Sequence, residues 1–188
     1  MILENRKVIL KTLGLTTTSS IADNDFAHCL IATPAKGQEA EQLSLTDLPA
    51  KKVSVPLAFW QEHKEALMAH GHEVAVQLGA ADFAEDILSD LSHIKTIVLP
   101  FESVVDGRSY THAYLLRTRY DFTGEIRAVG DVHMDQLNFL ARCGIDAFEL
   151  PENEDLEAAC SAFEIFSDVY QPSADGGNLV FARRRVMH

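Results

Sequence analysis

Apolar residues along the central part of the chain switch between two spacings. From Leu57 to Met68 they recur every three or four positions, which predicts a helix that begins near Pro56 and ends before Gly71. At residues 74–78 they alternate, with Val74, Val76 and Leu78 on one side, which is typical of a half-buried strand. The chain therefore begins a strand–helix series shortly after residue 52.

The same succession continues toward the C-terminus. The almost continuously apolar run Thr96–Phe101 predicts a strand that is covered on both faces, and residues 125–129 and 145–150 predict two more strands. Amphipathic segments follow each strand, and residues of the type that caps a helix N-terminus precede them. The predicted caps are Asp82, Ser109, Asp131 and Asn153.

Four strand–helix units in series predict an α/β fold with a mainly parallel sheet and right-handed crossovers. Two architectures fit, an open doubly wound sheet and a partial, half TIM-barrel-like sheet. We assign residues 53–173 to this α/β core. Residues 1–52 form a poorly defined appended element with hairpin character, and residues 174–188 form a tail that could add an edge strand.

Composition narrows the functional classes. The 188 residues suit one domain, and the net charge of -12 disfavours binding to nucleic acid or to an anionic membrane. No apolar run approaches a membrane span, and the N-terminus lacks the features of a secretion signal, so we expect a cytoplasmic protein. The three cysteines are far apart, so no iron–sulfur or zinc site is expected; the sequence leaves any other cofactor unknown.

Candidate chemistry concentrates in the loops after the second and third of these predicted strands, residues 96–101 and 125–129. Ligands of parallel α/β sheets meet the carboxyl ends of the strands, where helix N-termini attract anions. Arginine binds oxyanions with a fork of donors, and glycine permits a close backbone approach. We therefore predict an oxyanion-binding pocket. The candidate residues are Asp106, Gly107, Arg108, Arg117, Arg119, Arg127, Gly130, Asp131, Asp135, Gln136 and Arg142.

A purely structural interpretation competes with this pocket. Buried arginines need carboxylate partners, and Asp106, Asp131, Asp135 and Asp146 are available to pair with them. Such ion pairs would order the loops without binding a ligand. No metal site is predicted, because no HExxH or similar run is present, and no nucleophile, dinucleotide or P-loop motif is found, so catalytic residues stay unknown.

The segment from Asp106 to Leu150 resembles a bacterial family. Its elements are DGR at 106–108, LLRTR at 115–119, GEIRAVGDV at 124–132, DQ at 135–136 and RCGIDAF at 142–148. The family is a domain of unknown function that is labelled as an oxidoreductase probably involved in sulfite reduction. The likeness extends from about residue 56 to residue 173.

This resemblance implies an accessory role in assimilatory sulfite reduction, with components of sulfite reductase or a small oxyanion as partners. Two alternatives stay open. One is an oxidoreductase that uses an external cofactor or redox partner, an activity that only the family label suggests. The other is a non-catalytic interaction module, and a homodimer is compatible with each of them.

Overall fold

A computed structural model describes residues 2–3, 7–12, 18–29, 44–48, 51–69, 71, 73–103, 106–166 and 169–175. These residues form one mixed α/β unit built on a single curled sheet. The strands are β1 (Ile2–Leu3), β2 (Lys7–Thr12), β3 (Thr18–Asp23), β4 (Phe26–Cys29), β5 (Lys52–Pro56), β6 (Val74–Gln77), β7 (Thr96–Phe101), β8 (Glu125–Gly130) and β9 (Ala147–Phe148).

The sheet order is β1-β4-β5-β6-β7-β8-β9-β2-β3. Every pair from β4 to β9 is parallel, whereas β1 on β4, β2 on β9 and β3 on β2 are antiparallel. The parallel strands follow one another in chain order without a reversal, and a doubly wound sheet requires such a reversal. The sheet is therefore the curled half-barrel, which was one of the two predicted architectures.

In the part of the chain that the structure describes, four α-helices cover the outer face of the sheet. They are α1 (Leu57–Met68), α2 (Arg108–Thr118), α3 (Leu137–Arg142) and α4 (Leu156–Ser161). One continuous core joins their apolar side chains to the outward side chains of the strands, such as Val55, Ile97 and Phe148. Successive parallel strands with right-handed crossovers place all their helices on the same face, which explains this arrangement.

Several predicted helix starts are wrong in detail. The Asp82 carboxylate accepts a hydrogen bond from the Gly79 amide at 2.7 Å, so it closes a turn, and the segment Ala84–Asp90 is a 3₁₀-helix. Ser109 lies inside α2, where its hydroxyl donates to the Pro100 carbonyl. Asp155, rather than Asn153, caps α4.

The last two helical segments are also shorter than their patterns indicate. The turn Met134–Gln136 is 3₁₀ before α3 begins, and it starts after His133 rather than after Asp131. The helix α4 ends at Ser161 and continues only as the 3₁₀ turn Ala162–Glu164.

The N-terminal strands extend the same sheet. β2 and β3 form an antiparallel hairpin, and β2 pairs with β9 through Ile9–Phe148 and Leu10–Ala147. β4 adds to the other side of the parallel strands. Most of the predicted C-terminal edge strand lies outside the described residues. Within the described part of the chain, no helix is both long enough and apolar enough to cross a membrane.

The inner face of the half-barrel differs from the outer face. Its apolar part is a small separate cluster of Phe26, Ala75, Val98 and Val129. Beside this cluster lie five polar or charged side chains that are almost fully buried. They are His28, Ser54, Gln77, Arg127 and Glu149.

Candidate functional site

The carboxyl ends of β7 and β8 carry the loops that the sequence singles out. Arg108 begins α2, and its side chain is 60% exposed. Its guanidinium donates to both oxygens of Asp106, with the shortest contact, Nη2 to Oδ2, at 2.6 Å. This pairing holds the pKa of Asp106 down at about 2. One arginine of the predicted pocket thus stands at the expected edge, already paired with a carboxylate.

A second polar group at this edge centres on His133. Its Nε2 lies 2.9 Å from Oδ1 of Asp131, and its Nδ1 lies 3.2 Å from Oε1 of Glu154. Hydrogen bonds to Glu154 and Asp131 raise the pKa of His133 above its ordinary value. The His133 side chain therefore links the loop after β8 to the loop that leads into α4.

Gly130 has a structural reason to be glycine. Its φ is +98°, and a Cβ built at this position would lie 2.5 Å from the carbonyl oxygen of Phe101. The amide of Asp131 donates to that same carbonyl at 2.8 Å. The close approach that the sequence suggested at Gly130 is thus an approach of strand β7, not of a ligand.

Arg117 lies at the opposite end of the parallel strands. Its guanidinium donates to the carbonyls of Phe122, Gly124 and Gly144 and to the Asp146 carboxylate at 2.8 Å. Burial lowers the pKa of Arg117 and raises the pKa of Asp146 to about 6, although each partner opposes the shift of the other. Through these contacts, the guanidinium joins three segments of the chain.

Arg127 points into the half-barrel and is 3% exposed. It donates to Glu125 at 2.7 Å, to Glu149 at 3.0 Å and to Oδ1 of Asn24 at 2.7 Å. Its guanidinium carbon lies 4.6 Å from the centre of the Phe26 ring. Both its charge and its donors are matched by internal groups.

Buried hydrogen bonds also connect Gln77, Ser54 and His28 to Glu149. Gln77 Nε2 donates to the carbonyls of Cys29 and Ser54, which fixes the orientation of its amide, and it also donates to Ser54 Oγ at 2.8 Å. Ser54 Oγ lies 2.6 Å from His28 Nδ1, and His28 Nε2 donates to the Glu149 carboxylate at 2.8 Å. The imidazole therefore bridges Ser54 and Glu149.

This order, serine to histidine to glutamate, is the connectivity of a hydrolytic triad. Ser54 is 0% exposed, and its hydroxyl already has Gln77 and His28 as hydrogen-bond partners. A nucleophile must be reachable by its substrate, and Ser54 is fully buried. These hydrogen bonds therefore join groups in the interior of the fold. Sequence reasoning missed His28, Ser54 and Gln77, because the first of them lies in the segment that was assigned to an appended element.

The two remaining candidate arginines, Arg119 and Arg142, have their own partners. Arg119 places its guanidinium carbon 5.7 Å from the centre of the Tyr120 ring. Arg142 donates to the Gln171 carbonyl at 2.5 Å and lies 3.5 Å from Asp175. The five arginines are thus held by five separate sets of groups, and the structure does not assemble them into one oxyanion pocket. The structural interpretation fits Arg117 and Arg127 best.

An exposed aromatic surface lies on the helices that follow β7 and β8. The Tyr110 and Phe139 rings are 5.2 Å apart, and Phe139 is 59% exposed. Tyr114, four residues after Tyr110 on the same helix face, is 44% exposed. Met134, just before α3, is 39% exposed. We call Tyr110, Tyr114, Met134 and Phe139 the aromatic surface.

The neighbouring carboxyl edge is acidic. Glu102, Asp135 and Glu152 are exposed there, in addition to the Asp106, Asp131 and Glu154 carboxylates already described. Arg108 and His133 are the basic side chains described at this edge. Gln136, next to Asp135, donates to the Tyr110 hydroxyl at 3.4 Å and so connects the edge to the aromatic surface. Among the residues that the structure describes, no group of three His, Cys, Asp or Glu side chains could hold a metal ion.

Comparison with known proteins gives one match. A family model described as a bacterial protein of unknown function, DUF934, matches residues 75–181, more than half of the chain. No curated protein and no solved structure matches the chain significantly. The matched region contains most of β6, the whole of β7, β8 and β9, the aromatic surface and the acidic edge. This chain is therefore a member of the bacterial DUF934 family.

Proposed function

We propose that this protein is an accessory component of assimilatory sulfite reduction that acts by docking onto a protein partner, the sulfite reductase. The observation that carries the docking is the aromatic surface. Phe139 and Tyr114 hold large apolar rings in solvent, within the segment 106–150 that resembles the family. Aromatic side chains of this kind are the residues that most often dominate protein interfaces.

The contacts that the arginines make support docking onto a protein rather than binding of a small anion. Arg117 and Arg127 use their donors on internal carbonyls and carboxylates, so neither is available to an oxyanion. At the carboxyl edge, Arg108 is itself paired with Asp106. The exposed carboxylates Glu102 and Asp135 would repel an anion that approached this edge.

The charge of the edge also indicates the kind of partner. An acidic border beside an aromatic patch fits a partner surface that is basic around an apolar centre. The net charge of -12 favours fast association with such a surface at low ionic strength. The connection to sulfite reduction itself rests on the resemblance of residues 106–148 to proteins that carry this label.

The test measures binding of the full chain to purified sulfite reductase from the same bacterium by biolayer interferometry. We expect saturable binding that weakens as salt is raised. Phe139→Ser should weaken the affinity roughly 30-fold, as expected for loss of a central aromatic anchor. Met68→Ser is the matched control, because Met68 is 51% exposed but lies on α1; its affinity should equal that of the unchanged protein.

Two results would overturn this proposal. Absence of binding to the reductase at low salt would remove the docking role. A melting temperature that rises saturably with sulfite or sulfate, and no longer does so in Arg108→Ala, would replace docking by oxyanion binding.

A further inference from the structure

The acidic edge and the aromatic surface meet at Asp135. This residue is exposed and lies in the 3₁₀ turn before α3, one turn ahead of Phe139. Its charge acts on the Tyr110 hydroxyl, because burial raises the pKa of Tyr110 and the charges of Cys143 and Asp135 raise it further. Gln136, the next residue, donates to the same hydroxyl at 3.4 Å. A carboxylate therefore stands beside the rings of the aromatic surface.

Asp135 has no cationic partner of its own, unlike three other carboxylates at this edge. Asp106 is paired with Arg108, and His133 has hydrogen bonds to the other two. Among the residues that the structure describes, none donates a hydrogen bond to the Asp135 carboxylate or forms an ion pair with it. Its charge is therefore available to a cation that arrives from outside the chain.

The rings beside Asp135 are held in place by the core. The Tyr110 ring meets the Phe101 ring edge to face and the Phe139 ring at a tilt, with 5.2 Å between the ring centres in both pairs. Phe101 is 3% exposed, so this row of rings is anchored in the interior, whereas Phe139 is 59% exposed at its outer end. Rings that are already ordered lose little conformational freedom when a partner side chain packs on them.

We propose that the partner protein places an arginine side chain on the aromatic surface, an inference that rests on the docking proposed above. A guanidinium is flat, so it packs on the exposed ring of Phe139 while its fork of donors pairs with the Asp135 carboxylate. A lysine ammonium is a compact charge without the plane or the fork, so it fits this site less well. Water leaves the site when the two proteins meet, which strengthens both contacts.

A direct test uses a short peptide in place of the partner. The full chain, with isotope-labelled Phe and Tyr rings, is titrated with acetyl-leucyl-arginyl-leucine amide at constant ionic strength and followed by NMR. Two further peptides carry lysine or citrulline in place of the arginine, and citrulline keeps the shape of arginine but not its charge. We expect saturable shifts of the Tyr110 and Phe139 ring signals. The arginine peptide should bind at least about fivefold more tightly than the citrulline peptide, with the lysine peptide between them.

Two substitutions separate this site from the general attraction between opposite charges. Asp135→Asn removes the charge and keeps the shape, so it should lower the affinity for the arginine peptide to that for the citrulline peptide. The same variant should bind sulfite reductase about tenfold more weakly. Glu65→Gln removes an equal charge from an exposed position on α1 and should change neither affinity.

The peptide and the reductase test the two proposals separately. Equal binding of the arginine and citrulline peptides would overturn this inference, even if the chain binds the reductase. An arginine peptide that binds Asp135→Asn as tightly as the unchanged chain would also overturn it. Selective binding of the arginine peptide without any binding to the reductase would support the arginine site and remove the docking onto sulfite reductase.

Discussion

Glu149 and His28 are 121 positions apart in the chain, yet Oε1 of the first accepts a hydrogen bond from Nε2 of the second at 2.8 Å. His28 is on β4 and Glu149 directly follows β9, with four strands between them in the sheet. In a flat sheet, five strand steps of about 4.8 Å would separate them by roughly 24 Å. Their contact therefore shows how far the half-barrel curls, and side chains rather than strand pairing join its two sides.

Replacing Glu149 should test this link. Glu149→Ala leaves the guanidinium of Arg127 buried with one of its two carboxylate partners removed, and it leaves His28 without an acceptor. We expect the free energy of unfolding to fall by about 3 kcal/mol, as for the loss of one partner of a buried ion pair. Urea denaturation followed by circular dichroism measures this loss.

The control is Glu152→Ala, at an exposed carboxylate nearby, which should change stability by less than about 0.5 kcal/mol. A loss below 1 kcal/mol in Glu149→Ala would contradict this role.

Gly130 and Gly107 form a matched pair of substitutions in the two loops at the carboxyl edge. Gly130→Ala forces a side chain into a backbone with φ of +98° and against the Phe101 carbonyl, so we expect a loss of about 2 kcal/mol or more. At Gly107, φ is -83° and nothing lies within 4 Å of a built Cβ. Gly107→Ala should therefore be neutral or stabilising by up to about 1 kcal/mol. Thermal melting of both variants checks the contrast, and equal losses in the two would refute it.

The parallel strands could be predicted because their apolar residues either alternate or run almost without interruption. Thr96–Phe101 is a strand with the predicted limits, and 125–129 differs from β8 only by Gly130. Helix starts were harder to predict. The capping residue depends on contacts made after folding, such as the Asp82 carboxylate turning back to Gly79.

The inner face could not be predicted, since its residues meet only when the sheet curls. Arg127 was assigned to a ligand pocket because spacing alone does not tell an inward arginine from one at a loop. Its position between the apolar Ile126 and Ala128 in a strand was the available signal, since alternation places it on the face opposite theirs. His28 offered no such signal, because its partners Ser54 and Glu149 are distant in the sequence.

Cys143 should be chemically inert in the folded protein. It is 7% exposed, and burial raises the pKa of its thiol to about 11. Only the thiolate is nucleophilic, so at pH 8 roughly one molecule in a thousand is reactive at this position. Labelling with iodoacetamide, read by mass spectrometry of peptides, should modify the half-buried Cys160 first and Cys143 only after unfolding in urea. Labelling of Cys143 at the rate of Cys160 under native conditions would contradict the burial.

The His133 link should make stability depend on pH in a defined direction. Glu154 and Asp131 raise the pKa of His133 above the value of about 6.5 in the unfolded chain, so folding favours the protonated imidazole. Its contribution is fully present below about pH 6.5 and is lost as the pH rises through the folded pKa.

In His133→Asn, which keeps a capping side chain but removes the charge, the melting temperature should fall below that of the unchanged protein at pH 5.5, and the difference should shrink by pH 8.5. Because the cluster is partly exposed, the measurement belongs at low ionic strength, and added salt should reduce the difference. Glu154→Gln should show the same trend, since it removes one of the two carboxylates. A difference that stays constant or grows with pH would show that the imidazole is not charged in this contact.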